Sequence, residues 1–184
     1  MKATNARSVY SKLEESRFFL NQMMERANAD PPNEFLYCVS GFLQAFRSAV
    51  CKLYGYAEMR RDKPATKMLK QQLENHPQIK FFRDLRNMEV HGDGATLFRR
   101  YNLHIADSMH RWGSQRWEKR GDRWTTVLTD HYPVPSAVVV EDWHFEGNST
   151  NLIVLCHDAL NELENIVRQN IQLTAAVTQS STQS

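Results

Sequence analysis

The sequence predicts a mainly α protein: an up-and-down bundle of four to five helices with a small antiparallel β insert before the last helix. Three observations predict it. Apolar residues recur at intervals of three and four in five separate stretches, the period of a helix with one buried face. Between the fourth and fifth stretches the period drops to two, the pattern of a half-buried strand. The chain of 184 residues is 41% hydrophobic and 24% charged, with only 7 Gly and 6 Pro. That composition is one globular domain's worth, and it excludes a disordered or collagen-like chain. The domain is expected over 1–184, with the insert at about 95–147 and a flexible polar tail at about 174–184.

The first helix is expected over 8–28. Ser8 is its N-cap, and Val9, Leu13, Leu20, Met23 and Ala27 follow at helical spacing with Phe19 beside them. The second opens with Asp30 as cap and Pro31 at the first helical position, where no N–H is missed. Its stripe of Phe35, Val39, Phe42, Phe46, Ala49, Leu53 and Tyr56 is joined by Leu36, Leu43 and Val50. So wide an apolar arc is buried by several neighbours, as in a bundle. The third helix is read over 64–75 and stops at Asn75-His76-Pro77. The fourth starts near Pro77, buries Ile79, Phe82 and Leu85, and ends at Gly92-Asp93-Gly94.

The insert begins where Tyr101, Leu103 and Ile105 alternate with polar neighbours. Arg116-Trp117-Glu118 and Arg123-Trp124-Thr125 flank a hairpin-like Lys119-Arg120-Gly121-Asp122. A further strand runs from Ala137 towards Trp143 and Phe145, after Pro133-Val134-Pro135. Three or four short strands are expected in all. The last helix, over about 150–173, carries Leu152, Cys156, Ala159, Leu163, Ile166 and Asn170 on one stripe.

No apolar run approaches the ~20 residues of a membrane helix, and the N-terminal residues lack the apolar core of a signal peptide. Three cysteines, Cys38, Cys51 and Cys156, fit a reducing compartment better than a disulfide framework. A cytoplasmic protein without membrane contact is the expectation. The net charge of +2 conceals an asymmetry. Residues 1–124 hold 22 Lys/Arg against 14 Asp/Glu, whereas residues 125–184 hold one Arg against 7 acids. A basic front half of this kind can mark a polyanion-binding face, or simply two solvated faces of opposite sign.

The chemistry concentrates in residues 81–92, Phe-Phe-Arg-Asp-Leu-Arg-Asn-Met-Glu-Val-His-Gly. Here Arg86, Asn87 and His91 are the groups suited to phosphodiester cleavage without metal. A histidine can take a proton from a ribose 2′-hydroxyl or give one to the leaving oxygen. An arginine supplies a fixed fork for charge building on the phosphate oxygens. Five positions of ideal helix set Arg86 and His91 about 140° apart, so they converge only if the helix unwinds or a second subunit completes the site. The competing reading is structural, with Arg86 paired to Glu89 or Asp84 and His91 at a helix C-terminus.

The string Arg86-Asn87-Met88-Glu89-Val90-His91 resembles the Arg-x(4–6)-His signature of the HEPN superfamily in its form with Asn after the Arg. Phe81-Phe82-Arg83-Asp84-Leu85 before it, Gly92 after it, and the second helix with Phe42-Leu43-Gln44-Ala45-Phe46-Arg47-Ser48-Ala49-Val50 are similar to bacterial members. The resemblance covers the first four helices and, more loosely, the last. It implies a HEPN-like bundle that pairs into a homodimer and brings two motifs into one cleft. It also implies a metal-independent endoribonuclease leaving a 2′,3′-cyclic phosphate, in a defence, toxin or RNA-processing setting, with an antitoxin or other protein as a further partner. Arg86 would stabilise the transition state, His91 act as acid/base and Asn87 position them. Other members are non-catalytic interaction or nucleotide-binding modules, which is the alternative. Two features depart from the pattern. Asp93 stands where members controlled by adenylylation carry Tyr, and the β insert lies outside the minimal fold.

Within the insert, Arg116, Trp117, Lys119, Arg120 and Trp124 alternate cations with indoles, as a single-stranded RNA surface does; Arg83 joins them as an RNA-binding candidate. The alternative is a small sheet whose Trp side chains anchor it to the bundle. No metal or cofactor is expected, because the remaining histidines lack ligand spacing and no Gly-rich phosphate loop appears. Cys156-His157-Asp158 diverge by ~100° per residue on a helix and form no catalytic trio.

Overall fold

The computed structural model describes residues 6–29, 32–91, 96–105, 108–120, 123–130 and 139–180. Five helices and four strands follow in the order α1 (Ala6–Arg26), α2 (Asn33–Met59), α3 (Lys63–Asn75), α4 (Pro77–His91), β1 (Thr96–Ile105), β2 (Ser108–Arg120), β3 (Arg123–Asp130), β4 (Val139–Phe145) and α5 (Leu152–Ser180). The protein is mainly helical, with one small antiparallel sheet of four strands.

Along α1, Val9, Leu13, Ser16, Leu20 and Met23 are buried at alternating steps of four and three. The helix starts at Ala6, so Ser8 lies within it instead of capping it. Buried Ser16 turns its hydroxyl back to the Lys12 carbonyl at 2.8 Å, which satisfies it without a partner helix. The second helix begins later than the Asp30-Pro31 signal suggests. Pro32 occupies the N-cap position, and its carbonyl accepts from Leu36 N at 3.0 Å; Asp30 and Pro31 lie outside the described residues. Both predicted stripes of α2 are buried, apart from the half-exposed Tyr56. At the α1–α2 crossing a Cβ on Gly41 would come within 2.4 Å of the Phe19 ring, so any larger residue there requires that ring to move.

Helix α2 ends at Arg60 and Arg61, whose amides donate to the carbonyls of Ala57 and Glu58. Arg61 takes a left-handed φ of 57°, unusual for a residue with a side chain. Asp62 then caps α3, its Oδ1 accepting from Ala65 N at 3.0 Å. His76 alone separates α3 from α4. Asn151 caps α5: its Oδ1 accepts from Ile153 N, and its Nδ2 donates to Asp142 Oδ1 at 2.7 Å, tying the helix start to β4. The backbone of α5 stays helical to Ser180, past the 173 expected, so the tail predicted from 174 is helical as far as that residue.

The sheet order is β3-β2-β1-β4, with every pairing antiparallel. The strands run to 10, 13, 8 and 7 residues, longer on the whole than the short strands the sequence suggests. Leu97 sits between Trp117 and Phe145 in register, and Arg99 between Gln115 and Trp143. Leu97, Trp143 and Phe145 are buried in the helical core, where Phe145 meets Phe81 and Phe82, and Phe82 meets Phe42 and Phe46. Trp143 stacks on Phe35 at 4.5 Å and donates its indole N–H to Ala27 O at 2.9 Å. Arg99, only 3% exposed, lies 5.4 Å from the Trp143 ring and reaches Ala29 O at 3.4 Å. These carbonyls follow the C-terminus of α1, where helix carbonyls need donors and positive charge is favoured. The sheet therefore supplies what the end of α1 lacks.

Candidate functional site

The motif residues Arg86, Asn87 and His91 all belong to the C-terminal half of α4. The helix is held by Ile79, Phe82 and Leu85, all buried. Phe82 lies 5.7 Å from Phe42, 5.3 Å from Phe46 and 6.0 Å from Phe145, so α2 and β4 both grip the helix one turn before Arg86. The backbone remains helical through His91. Unwinding before His91 is thus not how Arg86 and His91 would be brought together, and about 140° of helix still separates the two positions. The side chains of Arg86, Asn87 and His91, like Gly92, Asp93 and Gly94, lie outside the described residues.

Arg83, one turn earlier, is engaged along the helix surface with Asp84 at 3.2 Å. Of the candidates on the sheet, Arg116 is drawn to Glu118 at 3.0 Å and Glu146 at 3.6 Å, with its guanidinium 5.8 Å from the Phe98 ring. Trp117 and Trp124 are partly buried against the core, and Trp124 donates its N–H to Ser40 Oγ on α2 at 3.2 Å. Their indoles anchor the sheet, and as placed they are not an open platform for bases. The Trp117 indole N–H is buried without a hydrogen-bond partner among the described residues. Lys119 is half-buried, and the side chain of Arg120 lies outside the described residues. Among the described side chains, the sheet therefore does not gather Arg116, Trp117, Lys119 and Trp124 on one exposed face.

Cys156, Cys38 and His144 sit in structural settings, while Cys51 is exposed on α2. Cys156 is fully buried, and burial pushes its thiol well above the usual range. Burial likewise raises the Cys38 thiol, with Arg26 acting against it. Adjacent to Cys156, His157 is exposed and near Asp158 at 3.6 Å, pointing away from the core that holds the thiol. His144, 5% exposed, donates from Nδ1 to Thr150 O at 3.1 Å. Burial, with help from Arg100, lowers its pKa and so favours the neutral ring. Among the described residues no three His, Cys, Asp or Glu side chains group as a metal ion would need. None of the described helices is long and apolar enough to cross a membrane.

A basic surface that the Arg/Trp pattern of the insert does not flag lies on α3 and the turn before it. Arg60, Arg61, Lys63, Lys67 and Lys70 are all exposed. Its signal is present in the sequence as Lys at i, i+4 and i+7. Searches against protein-family models, curated proteins and solved structures found no match to this chain.

Proposed function

We propose that the chain is a HEPN-like, RNA-binding protein that acts as a homodimer and cleaves RNA without metal. The observation that carries this reading is the Arg86-Asn87-x3-His91 motif on the last two turns of a helix packed into a mainly helical domain. In this mechanism neutral His91 takes the proton of a ribose 2′-hydroxyl. The 2′-oxygen attacks phosphorus, the bond to the 5′-oxygen breaks, and a protonated histidine returns a proton to that leaving oxygen. The products are a 2′,3′-cyclic phosphate and a 5′-hydroxyl. Arg86 stabilises the charge on the non-bridging oxygens, and Asn87 positions phosphate and histidine. The 140° between Arg86 and His91 on a continuous helix favours a site assembled from two copies.

The test is incubation of purified protein with mixed RNA in EDTA, alongside His91→Ala. Loss of a positioned acid/base lowers the rate by about 10²–10⁴-fold, and the wild-type products should carry cyclic phosphate ends. Absence of cleavage by wild type, or equal cleavage by the variant, rejects the catalytic reading. RNA binding without cleavage would then point to the non-catalytic module.

A further inference from the structure

Many of the chain's cations are neutralised within the fold. Arg17 and Arg168 bind the buried Glu164, Arg26 binds Glu34 and Glu25, Lys12 binds Glu15, and Arg116 binds Glu118 and Glu146. The α3 surface is different. Arg61, Lys63, Lys67 and Lys70 are exposed, and their side chains make no hydrogen bond or ion pair among the described residues; Arg60 only overlies Tyr56 at 6.0 Å. Between Met59 and Asn75 the acids are Asp62, whose carboxylate is committed to the α3 N-terminus, and Glu74, one turn beyond Lys70 on the same face. Lys63, Lys67 and Lys70 fall within an arc of about 60° and span about 10 Å of helix axis. Leu69 and Leu73 are buried, which fixes the roll of α3 and leaves the lysine stripe outward. An excess of positive charge, set in a line on a rigid element, is what a phosphate chain requires.

We infer that the α2–α3 turn and the lysine stripe of α3, and not the arginine–tryptophan insert, form the track for the RNA phosphate backbone. This deepens the RNA-directed reading above and rests on it. The track lies on the helix that leads through His76 directly into the motif-bearing α4. It offers ammonium and guanidinium groups without an exposed aromatic platform, so it binds single-stranded RNA with little base preference. The phosphate-directed term dominates and weakens with salt.

The measurement is fluorescence anisotropy of the full chain with a labelled, mixed-sequence 2′-O-methyl RNA, which cannot be cleaved through its 2′-oxygen. Lys63→Glu/Lys67→Glu/Lys70→Glu should bind at least about tenfold more weakly at 50 mM salt. Its log K against log salt should be shallower by about 2, given roughly 0.7 for each phosphate neutralised on a single strand. The matching Gln triple should lose affinity in the same direction. Glu and Gln are good helix formers, and circular dichroism checks that both variants fold. Lys119→Glu/Arg120→Glu/Arg123→Glu should stay within about twofold of wild type.

The inference fails if wild type does not bind this RNA, if the α3 variants bind as wild type does, or if the sheet variant loses as much. Exposed Met59 and Met68 beside the cations make an anionic membrane the competing occupant. Loss by the α3 variants of binding to phosphatidylserine vesicles, with RNA binding intact, also overturns it. Salt-sensitive RNA binding lost only in the α3 variants, by a protein that cleaves no RNA, supports the track while rejecting the catalytic reading.

Discussion

His144 ties the stability of the sheet–helix junction to pH. In the unfolded chain its imidazole titrates near its usual value of about 6.5. In the fold, burial and the Arg100 charge lower that value despite the Thr150 carbonyl, so the native state binds fewer protons over this interval. Stability is therefore fully present above about pH 6.5 and declines as pH falls towards and through the folded value. Melting temperatures at pH 7.5 and 5.0 should show a larger loss for wild type than for His144→Gln, which keeps a donor for Thr150 O but cannot protonate. Equal losses would remove His144 as the cause. Arg99 and Trp143 are local in another sense: each spends its donors on a carbonyl beyond the end of α1, which no periodicity along β1 or β4 signals.

Among the elements, the α1–α2 pair depends on Gly41. Alanine favours a helix over glycine by about 1 kcal/mol, but here its methyl would meet the Phe19 ring at 2.4 Å. Forcing that ring out of its place against the core costs about 1–3 kcal/mol, so Gly41→Ala should lower the unfolding free energy. The same change in a Phe19→Ala background should be neutral or stabilising, because the ring is gone. Urea denaturation of the four proteins in this cycle measures the coupling, and simple additivity would exclude the clash. Helix positions were legible because burial follows the 3.6-residue period, as in the stripe from Phe35 to Leu53. Helix ends were less so: the Asp30-Pro31 and Ser8 signals lost to starts at Asn33 and Ala6. A cap residue only biases a boundary that tertiary packing can shift by a turn.

For the whole molecule, the basic front and acidic back of the chain meet in space. Glu164 on α5 binds Arg17 on α1, Glu146 after β4 binds Arg116 on β2, and Glu162 lies 3.6 Å from His76. Folding thus cancels part of the asymmetry and leaves the α2–α3 turn and α3 with an excess of exposed positive charge. At this scale belongs the prediction about assembly. On the proposed reading, with Arg86 of one copy completing the His91 of another, co-expressed Arg86→Ala and His91→Ala proteins should recover activity that neither has alone. In a two-fold dimer each mixed pair retains one intact site, giving about a quarter of wild-type activity at statistical mixing. A mixture as inactive as its components would place the working residues within one chain.

By itself the sequence determined the mainly helical class, a β region of three or four strands between α4 and α5, the buried stripes and the helix that carries Arg86, Asn87 and His91. Each of these depends on neighbours within a few residues, through the 3.6- and 2-residue periods and the Gly and Pro breaks. The tertiary structure decided which charges survive and which indoles are used. Arg116 and Lys63 look alike in the sequence, but one is met by acids from β2 and the turn after β4, while the other meets none among the described residues. Trp124 could have stacked on a base until α2 placed Ser40 beside its N–H. Ion pairing and indole burial are set by residues distant in the chain, and no local pattern encodes which of them will arrive.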